Sequence, residues 1–394
     1  MSIDTQTSSY TSKSLSPQVD RIGLILLGIG VVLVIAAYIF EPVRASFDAS
    51  ILYLFMVSLA VGAIFLIALE YITGAVWSVP IRRVTEFLAG LSPFLILLVI
   101  PLFLNLHDVF HWTHEEAVNA DPVLQAKTPY LNVSFLFIRT AAFLGIWILF
   151  SMLFIRNSTS QDVTREASLT RKNVRLAAIF LPLFAISITF TAVDWGMSLD
   201  PHWFSTIYGV YYFSGTVLAA VSAVTLIVIL FHEGGFLPGL RRDHFYSLGA
   251  LMFAFVNFWA YIAFSQFMLI WYANLPEETF WFMARWENGW QFVSVLLIIA
   301  KFGVPYFALL SQESKMNTKR LKIMAVWLLA AHLLDLYWLV MPTHSTGASL
   351  SWVELGFPVV GVGMILLLLS WKSKRYNLVP IGDPKLQRGM DFHL

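Results

Sequence analysis

In the stretch "LLAAHLLDLYWLVMPTH" (328–344), His332 and Asp335 stand three positions apart among residues suited to hydrocarbon. On a helix that spacing puts both side chains on one face. An imidazole that changes charge near neutral pH, beside a carboxylate, can take up a proton and pass it on. Four other ionisable residues, Glu70, Arg139, Asp194 and Lys301, have comparably apolar surroundings. A charge at the bilayer centre costs about 2.5–3.5 kcal/mol on insertion scales, so such residues face the protein interior, acquire partners and mark ion or proton pathways. The chemistry on offer is proton transfer or fixed charge pairing.

Several other chemistries are excluded. The chain contains no cysteine, so it cannot hold an iron–sulfur cluster through thiolates, attach a c-type haem through C-x-x-C-H or carry a lipoprotein anchor. A haem between helices needs two facing imidazoles, and only His332 is deep; His202, His232, His244 and His344 fall at or beyond helix ends. His107, His111 and His114 would share a face if helical, but they lie at an interface where solvated histidines are common, and no metal is assigned to them. No catalytic residue is assigned. The aromatic richness could hide a quinone slot, but composition singles none out.

The surroundings are hydrocarbon because the composition requires it. Of 394 residues 58% are hydrophobic and 12% charged, with a mean hydropathy of +0.73; soluble proteins carry about 25% charged residues. A bilayer core needs roughly 20 apolar residues per helix. Ten spans are predicted, near 22–40, 48–78, 85–106, 130–155, 174–195, 204–231, 245–273, 289–311, 320–341 and 350–371. The polar start (1–20) lacks the apolar segment of a cleavable signal peptide. It and the segment 373–394 read as tails flanking a membrane domain at 21–372. Those tails and the loops after the even-numbered spans hold 20 of the 25 Lys and Arg, which predicts both termini on the cytoplasmic side.

An internal repeat is also legible. "RRVTEFLAGLSPF" from Arg82 and "RRDHFYSLGALMF" from Arg241 share the Arg pair, Gly90 with Gly249, and Phe94 with Phe253. The alignment sets spans 2–5 (about 48–195) against spans 6–9 (about 204–341), with spans 1 and 10 outside. A shift of four helices makes the two bundles parallel, unlike the inverted repeats of many transporters. Each bundle then carries a cation on its third helix (Arg139, Lys301) and an acid on its fourth (Asp194, Asp335). At about 1.5 Å per residue from the nearest interface charges, Lys301, Arg139 and His332 read as deep. Glu70 lies in the inner half of span 2 with no evident basic partner.

With these features the chain resembles the NrfD-like, polysulfide-reductase family of membrane subunits. The segments "FTAVDWGMSLDPHWFSTIYGVYYFSG" (190–215) and "HLLDLYWLVMPT" (332–343) are similar to the F-subunit (ActF) branch found in alternative complex III, a bacterial quinol:cytochrome c oxidoreductase. The resemblance covers roughly residues 20–372. It implies an inner-membrane subunit without a redox centre of its own, beside a homologous C subunit that binds quinol. It further implies partners carrying iron–sulfur clusters (the B subunit) and haem c, docked on the polar loops at 107–129 and 274–288. Glu70, Arg139, Asp194, Lys301, His332 and Asp335 fit the proton path proposed for such subunits. The competing expectations are a proton- or ion-coupled secondary transporter and a purely structural anchor.

Overall fold

The structure, a computed structural model, describes residues 15–394; most of the polar start, residues 1–14, lies outside the described residues. Ten helices are long and apolar enough to cross a membrane, and no strand occurs among the described residues. They are α1 (Pro17–Phe40), α2 (Pro42–Thr73), α3 (Val79–Leu104), α4 (Val133–Thr164), α5 (Ala167–Leu199), α6 (Tyr208–Glu233), α7 (Arg242–Ala273), α8 (Trp290–Ala308), α9 (Thr318–Thr343) and α10 (Val353–Ser373). The chain is a multi-pass membrane protein.

Local chemistry accounts for the helix ends. Ser16 accepts from the Gln18 N–H to start α1, and Asn132 accepts from the Phe135 N–H to start α4, satisfying N–H groups that have no helical partner. Gly74, at φ +67°, ends α2 in the left-handed conformation, which glycine adopts without a Cβ penalty. Span 2 therefore stops at residue 73 and not 78. α4 continues to Thr164, well past the expected 155, because its polar last turns remain helical beyond the apolar stretch.

α2 and α6 form the centre: 83% of the most apolar stretch of each is buried, against 17% for α1. α2 touches α1, α3, α5, α6, α9 and α10, while α6 touches α2, α5, α7 and α9. α1 and α10 pair along the edge through small residues. A Cβ on Gly30 would lie 2.7 Å from the Val360 nitrogen, and one on Gly363 would lie 2.7 Å from the Leu27 nitrogen. Close backbone approach of this kind is what drives helix association in lipid, where burial in hydrocarbon supplies no force.

The segment after Ser373, read from sequence as a tail, is folded against the basic ends of the helices. Asp383 receives Arg82 Nη2 at 2.6 Å, Lys385 Nζ donates to the Gly74 carbonyl at 3.2 Å, and the Gly389 carbonyl bonds His244 Nε2 at 2.8 Å. These partners come from α2, α3 and α7, so the segment straps helices that are distant in sequence.

Gly363→Leu should force α1 off α10 and lower the thermal midpoint of the purified protein, with an overpacking cost of about 1–3 kcal/mol. Gly28→Leu is the control, since nothing lies within 4 Å of its would-be Cβ. Equal midpoints for the two variants would contradict the close α1–α10 contact.

Candidate functional site: a buried lysine–histidine–aspartate cluster

Lys301, His332 and Asp335 meet where α8, α9, α6 and α2 converge, each 1% exposed or less. Lys301 lies in an irregular part of α8, the π-helical turn Ile299–Gly303. Pro305 explains that turn, because it stands four residues after Lys301, has no N–H to offer the Lys301 carbonyl, and its ring would clash there. The turn widens instead, and the Val304 N–H bonds the Ile299 carbonyl. Trp327 of α9 donates its indole N–H to the Ala300 carbonyl at 2.7 Å, so a backbone group loosened by the bulge keeps a partner within the membrane.

The side chains form one connected set. The Lys301 ammonium donates to Asp335 Oδ2 and to His332 Nδ1, the latter at 3.0 Å. Tyr211 of α6 donates its hydroxyl to Asp335 Oδ1. His332 Nε2 lies 3.0 Å from Ser58 Oγ on α2, and Ser58 in turn donates to the Leu54 carbonyl. Because Nδ1 accepts from an ammonium, the network assigns the ring hydrogen to Nε2 and makes the imidazole neutral. Gly215 leaves the room: a Cβ there would come within 3.0 Å of His332 Cε1 and 3.3 Å of Lys301 Nζ. The trio spans α8 and α9, reaches α6 and α2, and accounts for every charge in it.

Arg139 and Asp194 also pair, but in a different style. Arg139 Nε and Nη2 meet the two Asp194 oxygens at 2.9 and 2.8 Å, Nη1 donates to the Tyr130 carbonyl, and the Tyr130 hydroxyl donates to Asp194 Oδ1 at 2.8 Å. The guanidinium is stacked over the Tyr130 and Phe135 rings. Such a two-pronged arginine, lying against two rings, is held in place. The expected depth of Arg139 is corrected. Lys127 belongs to a separate short helix, Pro122–Lys127, and α4 starts only at Val133. Arg139 is thus six residues, ~9 Å, from the helix start.

Glu70, expected to lack a basic partner, has one: Arg82 Nη1 donates to its Oε1 at 2.8 Å. Arg82 and Arg83, which read as an interfacial pair in a loop, are instead 2% exposed or less. Arg82 also meets Glu86 and Asp383, and Arg83 meets Glu86 at 2.8 Å and Asp162 at 2.6 Å. Four carboxylates surround two guanidiniums in this node. Glu70 is joined to neither of the other clusters by a hydrogen bond among the described residues.

Several residues near the sites were not singled out from sequence. Tyr211 and Ser58 complete the cluster, yet tyrosine and serine are common in spanning helices and gave no signal. Arg285 lies in the segment 274–288, which reads as a polar loop, but is 2% exposed. It donates to the Trp281, Trp338 and Leu339 carbonyls and rests 3.4 Å above the Trp281 ring. Burial pushes its guanidinium down to about 9. Beside it an aromatic cavity of about 820 Å³, lined by Tyr211, Trp259, Gln266, Phe267 and Phe302 among others, reaches the Tyr211 ring. His107, on Leu106–Val109, and His111, on the turn His111–Thr113, both lie near His114, with ring centroids 5.2 and 6.3 Å from it, but no metal-holding group of three His, Cys, Asp or Glu occurs among the described residues.

No known family model matches the chain, and no curated protein is similar to it.

Removing one partner of a buried ion pair costs about 3–5 kcal/mol, whereas replacing both by apolar groups is often neutral. Lys301→Met should therefore lower the thermal midpoint of the protein in lipid nanodiscs markedly, and Lys301→Met with Asp335→Leu should regain most of the loss. Additive losses in the double variant would show that the two residues are not coupled.

Proposed function

We propose that the chain is a non-catalytic membrane subunit of a quinol:acceptor oxidoreductase of the alternative complex III type, belonging to the NrfD-like family. In this reading it lies in the bacterial inner membrane with both termini cytoplasmic and helps couple quinol oxidation to proton movement. The observation that carries the reading is the closed Lys301–His332–Asp335 cluster on a π-turn, buried between four helices. A lysine is a compact charge on a flexible stem, and a neutral imidazole can exchange its acceptor role for a second proton. His332 accepts from Lys301 only while Nδ1 is bare. A proton arriving at Nδ1 must displace the ammonium, leaving Lys301 on Asp335, and Nε2 can then release its hydrogen toward Ser58.

Other features support the family reading. Grouping α2–α5 and α6–α9 as two parallel bundles makes the two most buried helices, α2 and α6, the equivalent first members. Each bundle then has a cation on its third helix and an acid on its fourth, and each acid also accepts from a tyrosine, Tyr130 or Tyr211. The equivalent glycines Gly90 and Gly249 each lie against a lysine, Lys372 and Lys315. The Arg139–Asp194 clamp is the fixed counterpart of the switchable cluster.

No cofactor is assigned to this chain; haem c and iron–sulfur clusters belong to partner subunits, and quinol to the homologous C subunit. The loops at 107–129 and 274–288 are the docking surfaces. The first is pinned in place: Trp112 donates to the Ser198 carbonyl, Lys127 to the Pro201 carbonyl, and His202 bonds Asp121 at 2.5 Å.

Affinity purification from native membranes should bring down multi-haem c-type and iron–sulfur proteins with the chain. In the reconstituted assembly Asp335→Asn should lower protons released per electron while haem and cluster content stay normal. An unchanged ratio at full assembly would leave only an anchoring role. Isolation of the chain alone, with proton-coupled solute uptake in vesicles, would favour a secondary transporter.

A further inference from the structure

The central helix α2 carries another carboxylate, Asp48, near the end opposite Glu70. It is 3% exposed, and its Oδ2 is buried without a hydrogen-bond partner among the described residues. Arg44, one turn earlier, does not serve it: Arg44 Nε donates to Glu354 Oε1 at 2.8 Å, and its Nη2 donates to Glu354 and the Ser349 carbonyl. Asp48 instead lines a cavity of about 220 Å³ shared with Glu354, Tyr337, Leu333 and Leu334. At roughly 30 Å³ per molecule the cavity has room for water.

The groups that face Asp48 leave negative charge in excess. Glu41 and Arg44 precede it on the same stretch, Glu354 faces it from α10, Tyr337 from α9, and Tyr38 from α1. His344, which follows α9, packs at a tilt against the neighbouring Phe47 ring. Asp108, on the short helix Leu106–Val109, adds negative charge beside Tyr38, and the permanent cation among these described residues is Arg44, already bound to Glu354. An ionised carboxylate oxygen buried without a donor is costly, and binding a proton removes the charge. The cavity backs onto the helix that carries the cluster. Leu333 and Leu334, two walls of the cavity, are the residues between His332 and Asp335, so the cavity abuts the other side of the same helical turn. Asp48 is also ten residues, ~15 Å, before Ser58 on α2.

We propose that Asp48 is a proton-binding carboxyl that exchanges with water in this cavity and forms the outer end of the path whose middle is Lys301–His332–Asp335. The step is a single transfer between hydronium and carboxylate, giving carboxylic acid and water, with no other bond changed. The inference rests on the proton-handling role proposed above, and its test is separable from that role.

Infrared difference spectra of the full-length protein in lipid, recorded across pH in H₂O and D₂O, read protonated carboxyl groups directly. The wild type should show a carboxylic-acid band that shifts on deuteration. Asp48→Asn should lose that band, and Asp48→Glu, which keeps a carboxyl and guards against a folding artefact, should show it displaced. The band should persist in Lys301→Met, so that failure of the relay and failure of the Asp48 site give different results. Spectra of Asp48→Asn identical to wild type would overturn the proposal. So would removal of the band by sodium at constant pH, which would make the site one for a metal cation.

Discussion

The contact between Lys301 and Asp335, across α8 and α9, is the constraint on which the site depends. An ammonium in the membrane interior is tolerable only when an opposite charge and further hydrogen bonds meet it. Here the requirement is met by four helices together: α8 supplies the lysine on its π-turn, α9 the acid and the imidazole, α6 the Tyr211 hydroxyl and the gap at Gly215, and α2 the Ser58 hydroxyl. α2 and α6, the most buried of the ten helices, thus supply the groups that complete the cluster.

The ionic groups differ in what they permit. Arg139 is gripped on both prongs and lies against two rings, so its pairing with Asp194 fixes α4 to α5. The Arg82–Arg83 node ties α2, α3 and α4 to the strap after α10. Lys301 alone among these cations shares its bonds between a carboxylate and a neutral imidazole, and an imidazole can change which nitrogen carries hydrogen. A molecule built this way has rigid bolts toward its two faces and one adjustable contact between them.

Much of this was legible in sequence for one reason: charge in hydrocarbon is rare enough that its few occurrences must find each other. Lys301, His332, Asp335, Arg139 and Asp194 stood out on that ground, and the helix count followed from apolar length. What was hidden follows from the same logic. Tyr211, Ser58 and Gly215 are ordinary residues in spanning helices, so their part in the cluster needed coordinates. The partner of Glu70 was missed because Arg82 and Arg83 match the expected basic residues of a loop, and only the folded strap from Ser373 onward buries them. The depth of Arg139 was misjudged because the break between Lys127 and Val133 has no strong helix-stopping signature beyond Pro129.

Solid-state NMR of the protein in lipid, with ¹⁵Nζ-lysine and ¹³Cγ-aspartate labels, measures the central contact most directly. A single strong Lys Nζ–Asp Cγ dipolar correlation should appear in the buried, exchange-protected part of the spectrum and disappear in Asp335→Asn. A wild-type spectrum without that correlation, or one in which Lys301 exchanges freely with water or contacts lipid, would contradict the account.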